Sequence, residues 1–160
     1  MEKITSVLDL TNCKNITGDL SDLGGVITYN LSLFNCANIT GDLSDLSGRI
    51  TYQLCLSNCS NITGDLVDLG GKITYYLGLS NCQNITGIYS GHSYPQNVYL
   101  SNTGLSASDM DSTLINFANS SVSNGTFVAN NMTRTSVPDE AVTILTARGW
   151  SVKGLTKVET

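Results

Sequence analysis

The phrase "NITGDL" stands at Asn15, Asn38 and Asn61, and "NITG" returns at Asn84, each time 23 residues further on. Taken from the first leucine of "LxLxNC", three copies align without a gap. They are "LDLTNCKNITGDLSDLGGVITYN" from Leu8, "LSLFNCANITGDLSDLSGRITYQ" from Leu31 and "LCLSNCSNITGDLVDLGGKITYY" from Leu54. A fourth, "LGLSNCQNITG" from Leu77, keeps the pattern for eleven residues and then diverges. A fixed period between about 20 and 50 residues marks a stacked repeat array, in which no unit buries its own apolar face and each is completed by its neighbours.

The logic of one unit follows from side-chain alternation. In "ITYNLSL", Leu31 and Leu33 point inward on a short strand and Ser32 points out. "NITG" turns the chain, with Asn bonding nearby backbone and Gly free to take positive φ. "DLSDL" returns leucines three apart, as at Leu20 and Leu23, which fits a tight 3₁₀-like or helical arc. "GG" or "SG" turns into the next strand. Stacking such units gives a parallel sheet with strands about 4.8 Å apart.

The pattern "LxLxNCxNITGDL" resembles the leucine-rich repeat, whose strand leucines are followed by Asn or Cys at a fixed offset; Cys13, Cys36, Cys59 and Cys82 hold that offset here. Its "ITG" ending resembles the plant-type, cysteine-containing subclass and a group of bacterial and bacteriophage repeats written "ITGDIADLPSGLTYL". The resemblance covers residues 8 to about 100. It implies an α/β solenoid, a right-handed coil with a parallel sheet on one wall. One departure is an extra residue between Ile27 and the leucine pair, which predicts a longer or bulged strand entry.

Past Gly87 the unit length changes. "NVYLSNTGL" reads as a strand, and "SASDMDSTLINFANSS" as a helix capped by Ser106 or Ser108, with Leu114, Ile115 and Phe117 inward. "GTFVANN" repeats the strand pattern. "SVPDEAVTILTARGW" gives a second helix with Pro138 and Asp139 in its first turn and Gly149 beyond its end, and "WSV" a last strand. The expected organisation is one domain over 1–160: a lead-in at 1–7, four 23-residue-type units over 8–96, two longer helix-bearing capping units over 97–153, and a fraying tail at 154–160. A stacked array needs both ends covered, and "MEKITSV" reads as another strand entry rather than a polar lid. The amino-terminal face is therefore expected to meet protein, either copies of this chain or a larger assembly.

Charged residues are 13% of the chain and the formal charge is −5; Lys14, Arg49, Lys72, Arg134, Arg148, Lys153 and Lys157 are scattered. That argues against nucleic-acid binding, which needs clustered cations. No apolar run approaches the roughly 20 residues of a membrane span, and the start has no secretory-signal pattern. Compartment stays open: the chain stays where it is made, leaves by another route to a virion or cell surface, or is a mature fragment.

Chemistry is sparse. Cys13, Cys36, Cys59 and Cys82 lack the His and C-x₂-C partners of zinc sites, and parallel stacking would aim their side chains alike rather than at one another. They read as a structural ladder of buried thiols bonding backbone. Cys55, between Leu54 and Leu56, reads as outward and the most reactive thiol, which fits a reducing compartment or a crowded assembly. Asn15, Asn38, Asn61 and Asn84 are formal glycosylation sequons, as are Asn30, Asn58, Asn119, Asn124 and Asn131, but the first four read as a structural ladder. The files Asp19, Asp42, Asp65 and Asp22, Asp45, Asp68 are weak calcium candidates: the first reads as capping the arcs, the second as solvated, and no cofactor is expected. His92, in "SGHSYPQ", has no evident acid partner, so no catalysis is expected.

The outward strand positions are the ones that vary between units. Asp9, Ser32, Cys55 and Gly78 form one column, Thr11, Phe34, Ser57 and Ser80 another, and Asn30, Gln53 and Tyr76 a third. With Tyr99, they are the tentative binding residues of a concave wall, where Phe34, Tyr76 and Tyr99 are the aromatic anchors. The expectation is a non-enzymatic structural or adhesive module acting through self-association or packing; the alternative is protein or glycan recognition on the wall.

Overall fold

The computed structural model describes residues 7–23, 26–46 and 48–159; of the lead-in, only Val7 lies among them. Each repeat carries two short strands at a fixed offset. They are β1 (Val7–Asp9) and β2 (Gly18–Asp19), then a 3₁₀ turn at Leu20–Leu23; β3 (Asn30–Ser32) and β4 (Ile39–Asp42), then a single α-turn, α1 (Leu43–Leu46). Next come β5 (Gln53–Cys55) and β6 (Ile62–Asp65), with a 3₁₀ turn at Leu66–Leu69, and β7 (Tyr76–Gly78) and β8 (Ile85–Thr86). The carboxyl-terminal part runs β9 (Asn97–Tyr99), α2 (Ala107–Asn119), β10 (Thr126–Arg134), α3 (Asp139–Ala147) and β11 (Ser151–Lys157).

These strands make an α/β fold with two parallel sheets. Seven strands follow the order β1-β3-β5-β7-β9-β10-β11 and four the order β2-β4-β6-β8, and neither sheet closes into a barrel. The register sets like upon like: Leu8, Leu31, Leu54, Leu77, Val98, Phe127 and Val152 form one column. Its five inner members are fully buried, whereas Leu8 and Val152 at the ends are only partly so. Leu33, Leu56, Leu79 and Leu100 are a second buried file.

The turn after each strand rests on an asparagine before the cysteine. Asn12, Asn35, Asn58 and Asn81 have φ of 63–66°, and Asn102 and Asn131 follow at 54° and 60°. Asparagine tolerates this left-handed conformation better than most residues. Its amide is also used: Asn35 Nδ2 donates to Asn12 Oδ1 (2.6 Å), Asn58 to Asn35 (2.5 Å), Asn81 to Asn58 (2.6 Å), Asn102 to Asn81 (2.7 Å) and Asn131 to Asn102 (2.9 Å). The glycine of "NITG" is needed for closeness: a Cβ on Gly41 would sit 2.7 Å from Leu20 N, and one on Gly64 2.7 Å from Leu43 N.

Short arcs form in the first three units, 3₁₀ in the first and third and a single α-turn in the second. The fourth unit departs from the expectation: among the described residues it forms no arc before β9. Helix α2 is capped by Ser106, with Asp109 completing the box; Leu114 and Phe117 are buried and Ile115 only half-buried. Phe117 packs against Tyr94, Phe127 and Trp150 at centroid separations of 4.9, 5.5 and 5.7 Å. Buried Asp111 accepts from Thr135 N (2.9 Å) and Oγ1 (2.6 Å), tying α2 to the end of β10. The segment read as a fraying tail is instead largely strand: β11 continues to Lys157, with Leu155 paired to Met132. The reason is a register shift between the Val128–Lys153 and Met132–Leu155 pairs, which lets both Val152 and Leu155 pack on the core, while Lys157 bonds Asp139.

Asn58→Ala removes two amide bonds of about 1 kcal/mol each and strains a left-handed backbone by about 1–2 kcal/mol. A loss of about 2–5 kcal/mol in urea unfolding is expected from these terms. Asn58→Gly relieves the strain and should cost clearly less; equal losses would contradict the role given to φ.

Candidate functional site

The outer face of the seven-stranded sheet and the exposed edge of the first unit are open to other molecules. On the outer face, Asp9, Ser32, Cys55, Gly78, Tyr99, Val128 and Lys153 share one column. The small side chains bond each other. Thr11 Oγ1 lies 2.8 Å from Ser32 Oγ, and Ser80 N donates to Ser57 Oγ (3.2 Å). Bonds from the Thr11 hydroxyl and N–H hold the Asp9 carboxyl below its ordinary range.

Cys55 is not the exposed thiol expected from strand alternation. It is 7% exposed. The ring of Tyr76 lies across Gly78, where a Cβ would meet Tyr76 Cε1 at 2.7 Å, beside the Cys55 side chain. Burial pushes the Cys55 thiol up and the Tyr76 phenol to about 12. Tyr76 and Tyr99 stand 5.3 Å apart, tilted by 30°, and Phe34 is half-buried. Ser32 and Ser57, expected to face out, are also buried. Asn30, Gln53 and Tyr76 pair in register. The wall is thus filled by its own side chains, and Asp9 is an exposed charge at its amino-terminal end.

The thiol and asparagine files bond backbone of the preceding unit. Cys36 Sγ donates to Leu10 O (3.1 Å), Cys59 to Leu33 O (2.9 Å) and Cys82 to Leu56 O (3.0 Å); burial raises the Cys36 thiol, and takes Cys59 to about 11 and Cys82 to about 12. Asn38, Asn61 and Asn84 donate to Lys14 O, Ala37 O and Ser60 O at 2.8–2.9 Å. The side-chain-to-side-chain ladder is a different file, the Asn12 column. Its sequence signal is persistence: an asparagine holds this place at Asn102 and Asn131, where "NITG" has been lost. A tyrosine stack was equally unforeseen: Tyr29, Tyr52 and Tyr75 lie 4.8 and 4.9 Å apart, within 11° of parallel.

Both aspartate files cap. Asp19, Asp42 and Asp65 accept from the N–H of Ser21, Ser44 and Val67 (2.9–3.0 Å), and Thr40 and Thr63 hydroxyls bond Asp19 and Asp42 at 2.8 Å. The second file is not simply solvated: Asp22, Asp45 and Asp68 accept from the N–H of Asp19, Asp42 and Asp65 (3.4, 2.9 and 3.4 Å). Among the described residues no group of three or more His, Cys, Asp or Glu is placed to hold a metal ion. His92 is exposed beside a cavity of about 540 Å³ lined also by Ser93, Tyr94, Asn116 and Asn119, and no hydrogen bond joins it to an acid among the described residues.

The first unit differs from those behind it. Leu8, Leu10, Cys13 and Ile16 are half-buried, whereas Leu31, Leu33 and Cys36 are fully buried and Ile39 is 5% exposed; Val7 is 52% exposed. The expected open face also concerns residues 1–6, which lie outside the described residues. No helix among the described residues is long and apolar enough to cross a membrane. No protein-family model matches the chain, and no curated protein and no solved structure matches it.

With four thiols buried, iodoacetamide followed by peptide mapping should modify Cys13 first, and Tyr76→Ala should raise the Cys55 rate at least tenfold; a fast Cys55 in the parent would contradict the burial described. The depressed carboxyls of Asp19, Asp42 and Asp139 have hydrogen-bond donors as their leading causes: Ser21 N–H, Ser44 N–H and Lys157 respectively. Their stabilisation is complete above the unfolded value of about 4 and is lost as pH falls through the lower folded values. The melting temperature should hold from neutral pH down to about 5 and drop below about 4, with a shallower drop in Asp42→Asn; a decline that begins near neutrality would contradict this assignment.

Proposed function

We propose that the chain is a leucine-rich-repeat-type solenoid serving as a non-enzymatic structural or adhesive module, which packs through its first unit against copies of itself in a larger assembly such as a virion or surface appendage. The observation that carries this reading is the half-buried state of Leu8, Leu10, Cys13 and Ile16 beside fully buried counterparts one unit on. Apolar surface of this kind is stabilised by covering it, at about 25 cal/mol per Å², and repeat arrays end in polar caps when they stand alone. Register and residue type favour the leucine-rich repeat: four units keep the leucine pair, the cysteine and the turn in the same places. Near-identical units stacked by four separate bonding files suit a stiff building block.

A second reading is recognition of a protein or glycan on the outer sheet face. It is favoured by one observation, the paired rings of Tyr76 and Tyr99, since aromatic anchors dominate binding energies. The self-filled wall around them leaves it second.

Sedimentation velocity over a hundredfold concentration range should show the mean mass rising above the 17.0 kDa of one chain. Val7→Lys, at an exposed position on the edge strand, should suppress the rise without lowering the melting temperature, because a lysine blunts a strand edge. A 17.0 kDa species at every concentration would remove the self-packing reading.

A further inference from the structure

Four side-chain ladders between the repeat units donate in one direction. Asn35, Cys36, Asn38 and Thr40 all donate back to the first unit, to Asn12 Oδ1, Leu10 O, Lys14 O and Asp19 Oδ2. The same four bonds recur one unit later, from Asn58, Cys59, Asn61 and Thr63. The array therefore has a polarity. Its amino-terminal face carries the outgoing donors Asn12 Nδ2, Cys13 Sγ, Asn15 Nδ2 and Thr17 Oγ1, and none of these finds an acceptor among the described residues. Two such faces brought together would set donors against donors.

The carboxyl-terminal edge is the complement. Strand β11 pairs with β10 alone, so its outer side offers backbone carbonyls and N–H groups to a further parallel strand. Its residues stand in the same columns as those of β1. Ser151, Val152 and Lys153 occupy the columns that begin at Val7, Leu8 and Asp9. Leu8 and Val152 are the two half-buried ends of the otherwise buried core column, and Asp9 and Lys153 are the two exposed, oppositely charged ends of the column beside it. Opposite charges directly across neighbouring strands attract, and like charges there repel. Pairing β1 with β1 would bring Asp9 edges together, and pairing β11 with β11 would bring Lys153 edges together.

We propose that the partner of the amino-terminal face is the carboxyl-terminal edge of a second copy of this chain, with β11 running parallel to β1 so that Val152 covers Leu8 and Lys153 pairs with Asp9. This rests on the self-packing reading above and specifies its geometry. The contact is head-to-tail, so each added copy leaves one free edge of each kind. Such heterologous contacts grow into open fibres unless the rotation between copies closes a ring. Because one of the pairings is ionic and exposed, association weakens as salt rises.

A charge-swap cycle on the full chain tests the proposal by sedimentation velocity. Asp9→Lys and Lys153→Asp, made singly, should each weaken association at least tenfold, and the double swap should restore it at low salt. Mixing a chain carrying Asp9→Cys with one carrying Lys153→Cys should give a dimer bridged by a short bis-maleimide cross-linker, against a background set by each variant alone. Melting temperatures equal to the parent's identify the variants as folded; both sites are exposed. Association in the parent that ignores both single swaps, with no cross-link in the mixture, overturns the head-to-tail geometry and leaves self-packing intact. A parent that stays monomeric overturns self-packing itself.

Discussion

A left-handed asparagine at the end of each strand is the constraint on which the stack depends. It reverses the chain in a conformation that costs most side chains about 1–2 kcal/mol, and its amide reaches the same atom pair in the unit before it. Six asparagines from Asn12 to Asn131 are joined in this way. The bond closes only when neighbouring turns lie in register. Because a one-residue slip would also turn the leucines of the strand outward, turn and core enforce the same alignment.

The other files follow from that alignment. The cysteines, one residue on, are carried into the interior, where thiol donors meet the carbonyls of Leu10, Leu33 and Leu56. On the far side, the glycines of "NITG" let the chain pass within van der Waals contact of the preceding arc at Leu20 and Leu43. Where the pattern changes past Gly87, larger groups take over: Phe117 and its aromatic neighbours fill the wider end, and Asp111 fastens α2 to β10.

Much of this was legible in the residues, and the misreadings are instructive. The leucine columns and both long helices follow from periodicity and capping, since Ser106 and Asp109 form the box that their spacing announces. The asparagine files were harder to tell apart, because two asparagines per unit repeat equally well and only the persistence of one beyond "NITG" separates them. Cys55 defeats alternation: strand position predicts exposure, but Tyr76 folds over Gly78 and covers it, an event two columns wide that one strand cannot reveal. The second aspartate file looked solvated because a reciprocal cap needs the geometry of the arc. "GLTKVET" looked like tail because it is polar; Leu155 suffices to extend the strand once β10 provides a template.

On the proposed reading, function lies in the ends of the array and its outer face rather than in a pocket of reactive groups. The one-way ladders give the array a head and a tail, and the half-buried leucines at the head indicate where another protein chain gains most by arriving. Through-hydrogen-bond scalar coupling in a labelled sample tests the underlying stacking most directly. The account predicts a coupling from the Asn58 side-chain nitrogen to the Asn35 side-chain carbonyl carbon, and the same link from Asn81 to Asn58. Rapidly exchanging, uncoupled side-chain amides at these asparagines would contradict it.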